Sequence, residues 1–454
     1  MHTDLFIMLS GTMLGYIAGL IPGIGNLVML LMVYPLIMDA TLFQMLLFYM
    51  ALISSAQFSG SIVATVFGVP GDSSSLPAVI EGRKLFLKGQ GNFAISNAAL
   101  GSVLGSAIAI GIVLIVLPIS VSLIKSFYNT NVQLSILLIS TFSVIFLLGT
   151  SKLQNIWIFS IGFLLALIGQ HDVPWFIFLP DILPYETFPK LLLGLPLFPV
   201  IVSLYVFPIL ITTASQFKNY ETNILYKDNS PISEHFKEFY SNIRSALRGS
   251  FIGSLVGLIP HVGTIVASNL SYAFEKRLGL KKKTYKQDGD IQSLVSAETA
   301  NNSTAMLSLM PLLLIGIPIS SSEALLLSLI EMNSYVVNYT TTIETDLFIK
   351  LVYWFVAINI IACLLSWPAV RYVNLLQKIN MKYIFWSTGI MLIGLVLYTG
   401  YIEMNTWYYF WVMVCLAPIG YLLRNTEPLV LVIAFILQDK ILASMSIFYQ
   451  IHFG

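Results

Sequence analysis

Long runs of apolar residues, separated by short polar stretches, follow one another from the start of the chain to its end. A helix that crosses the hydrocarbon needs about 20 predominantly apolar residues. Runs of that order lie at 5–38, 42–80, 92–124, 130–149, 153–169 and 191–214, and again at 249–274, 292–330, 347–370, 383–400, 405–423 and 426–447. This pattern predicts an all-α polytopic membrane protein of about twelve membrane segments. A polar stretch at 215–248, with Lys218, Glu221, Lys227, Asp228, Glu234, Lys237, Glu238 and Arg244, lies between the sixth and seventh. Residues 1–214 and 249–454 therefore read as two halves joined by 215–248.

Composition agrees and excludes other classes. The 454 residues are 57% hydrophobic and 10% charged, with a mean hydropathy of +0.84, which no soluble globular mixture approaches. The net charge is +1 and no basic run lies beside aromatics, so nucleic acid is not an expected partner; the lipid bilayer is. The first residues, Met1-His2-Thr3-Asp4, supply no basic region ahead of an apolar run too long for a signal-peptide core, so no cleaved signal is expected. Cys363 and Cys415 lie far apart in apolar segments and read as buried hydrophobes, not a disulfide framework or a Cys-based metal site.

The halves share a phrase. Gly11, Gly15, Gly19, Leu20, Ile21, Pro22 and Gly25 return as Gly249, Gly253, Gly257, Leu258, Ile259, Pro260 and Gly263, each displaced by 238 residues (11 to 249). A second phrase, Gly68-Val69-Pro70-Gly71-Asp72-Ser73-Ser74-Ser75, aligns with Gly316-Ile317-Pro318-Ile319-Ser320-Ser321-Ser322 at a displacement of 248 (68 to 316). The glycine spacings also suit close helix packing.

Loop charge predicts orientation, because Lys and Arg gather on the cytoplasmic side. Loops 81–91, 150–153, 215–248, 275–290 and 371–382 are basic and expected inside; 39–41, 170–190, 331–346 and 401–406 are poor in Lys and Arg and expected outside. Loop 81–91 and its counterpart 331–346 then fall on opposite sides, as do 39–41 and 275–290, so the halves read as inverted repeats. Six full crossings per half would return the chain to its starting side, so one segment per half is expected to be re-entrant: 249–274 and its counterpart, or alternatively 59–80 with 306–323.

Pro and Gly free backbone groups at membrane depth, where only burial in protein or a water-lined cavity tolerates them. A helix restarted in mid-membrane offers amide donors and a positive dipole end to an anion, while carbonyls ending the first half-helix can ligate a small cation. The candidate substrate-binding residues are accordingly Pro22, Gly23, Gly25, Asn26, Ser61, Gly71, Asp72, Ser73 and Ser74 in one half, and Pro260, His261, Gly263, Thr264, Gly316, Pro318, Ser320 and Ser321 in the other. Glu298, Asn301 and Asn302 join them, either as a polar cluster facing the interior or as a solvated, capped helix start. A sodium site near the same breaks is the metal expectation. His261 reads as a hydrogen-bonding structural residue before a proton carrier. No His-Glu-x-x-His or Cys cluster is present and the serines lack a nearby His, so no enzyme is expected.

Gly19-Leu20-Ile21-Pro22-Gly23-Ile24-Gly25, Ser59-Gly60-Ser61, Val69-Pro70-Gly71-Asp72, Glu81-Gly82, Glu298-Thr299-Ala300-Asn301-Asn302 and Gly316-Ile317-Pro318, taken in order, resemble the large membrane subunit of the tripartite tricarboxylate transporters, the TctA family. The resemblance implies a multi-pass inner-membrane importer of a tri- or dicarboxylate, driven by a sodium or proton gradient without another cofactor. It also implies a periplasmic solute-binding protein that delivers the organic acid and a small four-span membrane subunit. The chain departs from the family at Pro260-His261 and Pro318-Ile319, where Pro-Gly is usual, and in its Gln57-Phe58-Ser59-Gly60 approach to Ser61. An added side chain at such turns narrows the space and backbone angles available. A transporter for another small anion, or a channel or scaffold, is the alternative reading.

Overall fold

The computed structural model describes residues 2–21, 25–37, 39–127, 129–147, 151–169, 189–216, 231–259, 263–318, 320–337, 346–367, 381–426 and 428–453. Among these every regular element is helical. Six helices, His2–Leu20, Leu42–Phe67, Gly91–Phe127, Leu347–Ser366, Phe385–Ile402 and Val430–His452, are long and apolar enough to cross a membrane, and five shorter apolar helices accompany them. The protein is an all-α, multi-pass membrane protein.

Chain order runs α1 (His2–Leu20), α2 (Gly25–Ile37), α3 (Leu42–Phe67), a 3-10 turn (Ser73–Ser75), a π turn (Ala78–Gly82), α4 (Arg83–Leu87), α5 (Gly91–Phe127), α6 (Thr130–Leu147) and α7 (Lys152–Ala166). Next come α8 (Leu197–Ile201), a π turn (Val202–Val206), α9 (Phe207–Gln216), α10 (Ile232–Ser241), α11 (Ile243–Gly257) and α12 (Gly263–Lys282). The chain ends with α13 (Ile291–Ile315), α14 (Ser321–Met332), α15 (Leu347–Ser366), α16 (Met381–Ile402), α17 (Thr406–Leu422) and α18 (Pro428–Phe453).

Four expected segments are each cut in two. Apolar continuity hides the breaks between α1 and α2, after α3, between α11 and α12, and between α13 and α14. Gly68 and Gly316 end α3 and α13 in the left-handed region (φ 68° and 67°), their N–H groups turned back to Ala64 O and Leu312 O; a residue with a Cβ resists that conformation. Two expected loops are largely helical. Residues 81–87 form the end of a π turn and α4, because Leu85 and Phe86 bury themselves. Residues 275–282 complete α12. Within the polar stretch 215–248, α10 forms around His235, which is buried, stacks on Phe93 at 4.4 Å and pairs with Ser96 Oγ at 2.6 Å.

Contacts divide the chain into two compact units, Met1–Val121 with Lys218–Asn380, and Ser122–Phe217 with Met381–Gly454. Each takes the leading or the trailing part of both sequence halves.

In the first unit, α1 lies on α3 and α11 on α13 through the duplicated glycines. A Cβ at Gly11, Gly15 or Gly19 would run into the carbonyls of Phe48, Leu52 and Ala56; at Gly249, Gly253 or Gly257 it would run into those of Ser296, Ala300 and Thr304. Each pair maps onto its copy by the two displacements found in the sequence, 238 on the glycine helix and 248 on its partner. The opposite faces correspond as well: Leu9, Met13 and Ile17 are exposed on α1, and Leu247, Phe251 and Leu255 on α11. Lipid tails are as apolar as leucine, so such helices associate through close packing and interhelical hydrogen bonds instead of the hydrophobic effect. Thr304 Oγ1 donating to Gly253 O at 2.9 Å and Ser303 Oγ to Gly105 O at 3.1 Å are bonds of this kind, each worth about 0.6 kcal/mol.

In the second unit, α7 packs on α18 where Gly162 meets the Leu431 carbonyl, and Gly420 of α17 meets that of Ser203. Ser203 Oγ donates to Met413 O at 2.9 Å.

Candidate functional site

The broken helices of the first unit reproduce each other at their turns. After Gly68 the chain passes Pro70 and Gly71 to Asp72, which caps the 3-10 turn: its Oδ2 accepts from Ser74 N (3.3 Å) and Ser74 Oγ (2.5 Å), and its N–H meets Ser75 Oγ at 3.4 Å. After Gly316 the chain passes Pro318 to Ser320, which caps α14: its Oγ accepts from Glu323 N (3.2 Å), and its N–H donates to Glu323 Oε2 (3.2 Å). Both are reciprocal capping boxes at positions displaced by 248. Each holds one acid, as cap in the first and three residues later in the second.

The breaks also reach across the halves. Ser268 Oγ of α12 donates to Ser74 O at 2.8 Å, and Tyr49 OH of α3 pairs with Ser322 Oγ at 3.0 Å. Gly71 packs against Gly19 O and Gly60 Cα, which brings the first turn and the end of α1 together. Gly25 and Gly263 open α2 and α12 with φ of 51° and 63°.

Between these turns runs the middle of α13. Glu298, Asn301 and Asn302 are buried and stand at i, i+3 and i+4, so they share one helix face. Helix α13 begins at Ile291 under its cap Asp290, which accepts from Ser293 N at 2.9 Å; the solvated helix start is therefore ruled out for Glu298. Both Glu298 oxygens, both polar atoms of the Asn301 amide and Asn302 Oδ1 have no hydrogen-bond partner. Ser61 and Asp72 are polar neighbours of Glu298. Ser61 Oγ itself donates to Gln57 O at 3.3 Å. Gln57, one turn earlier on α3, is buried with both amide atoms unpartnered. A buried polar atom left unpartnered costs about 1–3 kcal/mol, so this concentration is unusual for a structural core and is the reason to regard it as a site.

A latch closes the first break from the basic loop of the second half. Buried Glu81 accepts through Oε1 from Tyr272 OH (2.7 Å) and Tyr285 OH (2.8 Å), and through Oε2 from Asp290 N (3.1 Å). Burial first, and Glu81 second, push the Tyr285 hydroxyl up to about 12. Lys84 Nζ donates to Gln287 O at 3.0 Å, and Lys88 pairs with Asp288 at 2.9 Å.

Residues 5–433 match the Tripartite tricarboxylate transporter TctA family. The chain belongs to that family. It is similar to a protein of Agrobacterium vitis described as "Uncharacterized 52.8 kDa protein in TAR-I ttuC' 3'region", 27% identical over 321 residues, which are 70% of this chain and 61% of that protein. A second Agrobacterium vitis protein, "Uncharacterized protein in TAR-II ttuC' 3'region", is 39% identical over 74 residues, 16% of this chain and 30% of the other. The chain thus spans less than two thirds of the relatives it matches. No solved structure matches it.

The family is one of tripartite tricarboxylate transporters, which is a transport family. Of the expected site residues, the structure brings Ser61, Gly71, Asp72, Glu298 and the Ser74 turn into one region, and sets Gly316, Pro318, Ser320 and Ser321 at the matching turn. Asn26, at the start of α2, has an unpartnered Oδ1, and Thr264 is half-buried at the start of α12. Pro22, Gly23, Pro260 and His261 lie outside the described residues, and Ser73 is placed as the first residue of its turn. The expectation of open amide donors at both turns needs correction: the N–H groups of Ser74, Ser320 and Glu323 are already taken by the capping boxes. Gln57, Tyr49 and Glu323 were not anticipated. The Ser320-Ser321-Ser322-Glu323 spacing is a capping-box signature, and Gln57 is a carboxamide deep inside an apolar run, so both carried a signal. A cavity of about 590 Å³ in the second unit is lined by Leu165, Trp407, Trp411 and other apolar side chains with Lys190; it lacks convergent polar groups and is not the candidate site.

Proposed function

We propose that this protein is the large membrane subunit of a cytoplasmic-membrane importer, taking an organic acid, a di- or tricarboxylate, from a periplasmic solute-binding protein with the help of a small four-span subunit. The observation that carries the reading is the pair of matching helix breaks, cross-bonded through Ser268 to Ser74 and Tyr49 to Ser322, beside the unpartnered polar face of α13. Duplicated broken helices meeting at one place are the architecture of a secondary transporter. The matching displacements support reading the halves as repeats, and the loop charges support their inversion, with single-Cys labelling at 81–91 and 331–346 from opposite sides as the check.

Charge supports gradient coupling over passive flow. Asp72, Glu298 and Glu323 sit at or near the turns, and much of the donor capacity there is used by caps. An anion entering beside buried carboxylates meets repulsion unless a cation enters with it. The test is reconstitution with the partner subunit and binding protein in proteoliposomes, with labelled di- and tricarboxylates and imposed sodium or proton gradients. Accumulation above equilibrium, dependent on both partners and on a gradient, is expected. Equilibration without accumulation would make the chain a channel; no carboxylate movement under any gradient would remove the reading.

A further inference from the structure

Five buried oxygens have no hydrogen-bond partner on the two facing helices α3 and α13: Glu298 Oε1 and Oε2, Asn301 Oδ1, Asn302 Oδ1 and Gln57 Oε1. All four residues are at most 1% exposed. Glu298, Asn301 and Asn302 project from one face of α13, and Ser61, a neighbour of Glu298, stands one turn beyond Gln57 on α3. The amide nitrogens of Asn301 and Gln57 are unpartnered too and could donate to an anion, but the five oxygens outnumber them and two belong to a buried carboxylate, which repels one. A proton would satisfy one oxygen and leave the others stranded. A hard cation gathers several oxygens at once, and a single carboxylate among carboxamides balances one positive charge. Asp72, the other acid beside Glu298, is already bonded to Ser74 N and Oγ.

We propose that Glu298, Asn301, Asn302 and Gln57 form the sodium site of this transporter, distinct from the helix turns that meet the organic acid. The assignment rests on the transport reading above and names its coupling ion and ligands. The repeat places no full copy of the site in the other half: the positions 248 residues from Glu298, Asn301 and Gln57 are Met50, Ile53 and Ala305, and only Asn302 answers to a polar residue, Ser54.

The experiment measures thermal unfolding of the detergent-purified protein by tryptophan fluorescence in sodium chloride against choline chloride at constant ionic strength. Sodium should raise the melting temperature of the unmodified protein in a saturable way. In Glu298→Gln and Gln57→Leu the apparent sodium affinity should fall at least about tenfold, whereas Ser328→Ala, on the far side of the break, should keep it. A sodium effect retained in both site variants overturns the assignment. Stabilisation that follows pH and ignores sodium places a proton there and also overturns it, as does an equal response to magnesium. Should either variant be too unstable to purify, the other decides. Carboxylate uptake by the unmodified protein in proteoliposomes separates the two readings: without any uptake the transport reading fails, and with uptake equally sodium-driven in Glu298→Gln only the site assignment fails.

Discussion

Helices α3 and α13 share their glycine contacts and their ends, and differ inside. Both carry three glycine contacts on one side, both end in a left-handed glycine, and both are followed by a capping box. Where α13 holds Glu298 and Asn301, α3 holds Met50 and Ile53, buried and apolar. The difference separates two requirements that one helix cannot reveal alone. Carbonyl-to-glycine approach and the turn geometry are needed in both copies, so they make the scaffold. Glu298 and Asn301 have no polar counterpart in α3, and the unpartnered Gln57 of α3 answers to Ala305 in α13, so the scaffold needs none of the three. Groups that cost stability and that the scaffold can do without are the ones to assign to function.

The shared part should break first and equally. A leucine at Gly15 or Gly253 meets the carbonyl of Leu52 or Ala300, which belongs to a helix backbone and cannot move aside. Each substitution should cost about 3 kcal/mol and abolish the monodisperse peak on fluorescence-detected size exclusion. Loss at one glycine with tolerance at the other would show that the copies do not pack alike.

The unshared part should respond with opposite signs. Met50→Glu places a carboxylate in an apolar helix interior and should destabilise by on the order of 3 kcal/mol. Glu298→Met gives α13 the residue of its copy and removes two unpartnered oxygens; it should stabilise by about 1–3 kcal/mol while uptake is lost. Melting temperature and uptake, measured together, check this. A destabilised Glu298→Met would mean that hidden partners hold the carboxylate and that the polar face is structural.

Much of this comparison was legible in the sequence. The glycine spacings and both displacements can be counted along the chain, and they recur as contact pairs. Gly and Pro marked the breaks that follow Gly68 and Gly316, but their effect on segment length was not legible, because apolar continuity says nothing about where a helix restarts. The interior position of Glu298 stayed open in sequence, since a Glu-x-x-Asn-Asn string reads equally well at a helix start; only the cap at Asp290, eight residues earlier, decides it. Gln57 gained meaning from the facing helix, a relation between residues far apart that no local pattern encodes.

The caps sharpen the comparison at a smaller scale. Asp72→Ala and Ser320→Ala each remove one side-chain acceptor from a helix start, at about 1 kcal/mol apiece. The two losses should be alike in melting temperature. They should differ in transport, because Asp72 is also a neighbour of Glu298: Asp72→Ala should change the sodium dependence of uptake, and Ser320→Ala should leave it unchanged. Equal sodium dependence in both would detach the first turn from the polar face of α13.

The smallest effects concern the chain beyond each break. Past the first, it is fastened to residues 285–290 of the other half; past the second it continues straight into α14. The Lys88–Asp288 pair is exposed, and the hydrogen bond from Lys88, with its charge, holds the Asp288 carboxyl below its ordinary value. A lowered acid contributes while the carboxylate is ionised, so this fastening is present at neutral pH, fades as pH falls through the usual carboxylate range, and weakens with salt. Tyr285 works at the other end: its raised hydroxyl remains a neutral donor to Glu81 above the ordinary tyrosine value and loosens only as pH approaches about 12. Hydrogen exchange of 283–290 should therefore accelerate in acid and in high salt, hold steady from neutral to moderately alkaline pH, and accelerate again beyond it. Exchange of 324–330 should stay flat through the salt step, because Leu325, Leu326, Leu327, Leu329 and Ile330 hold that stretch by burial, which salt does not screen. Parallel acceleration of both segments in salt would mean that the two exits are fastened alike and that the comparison ends at the turns.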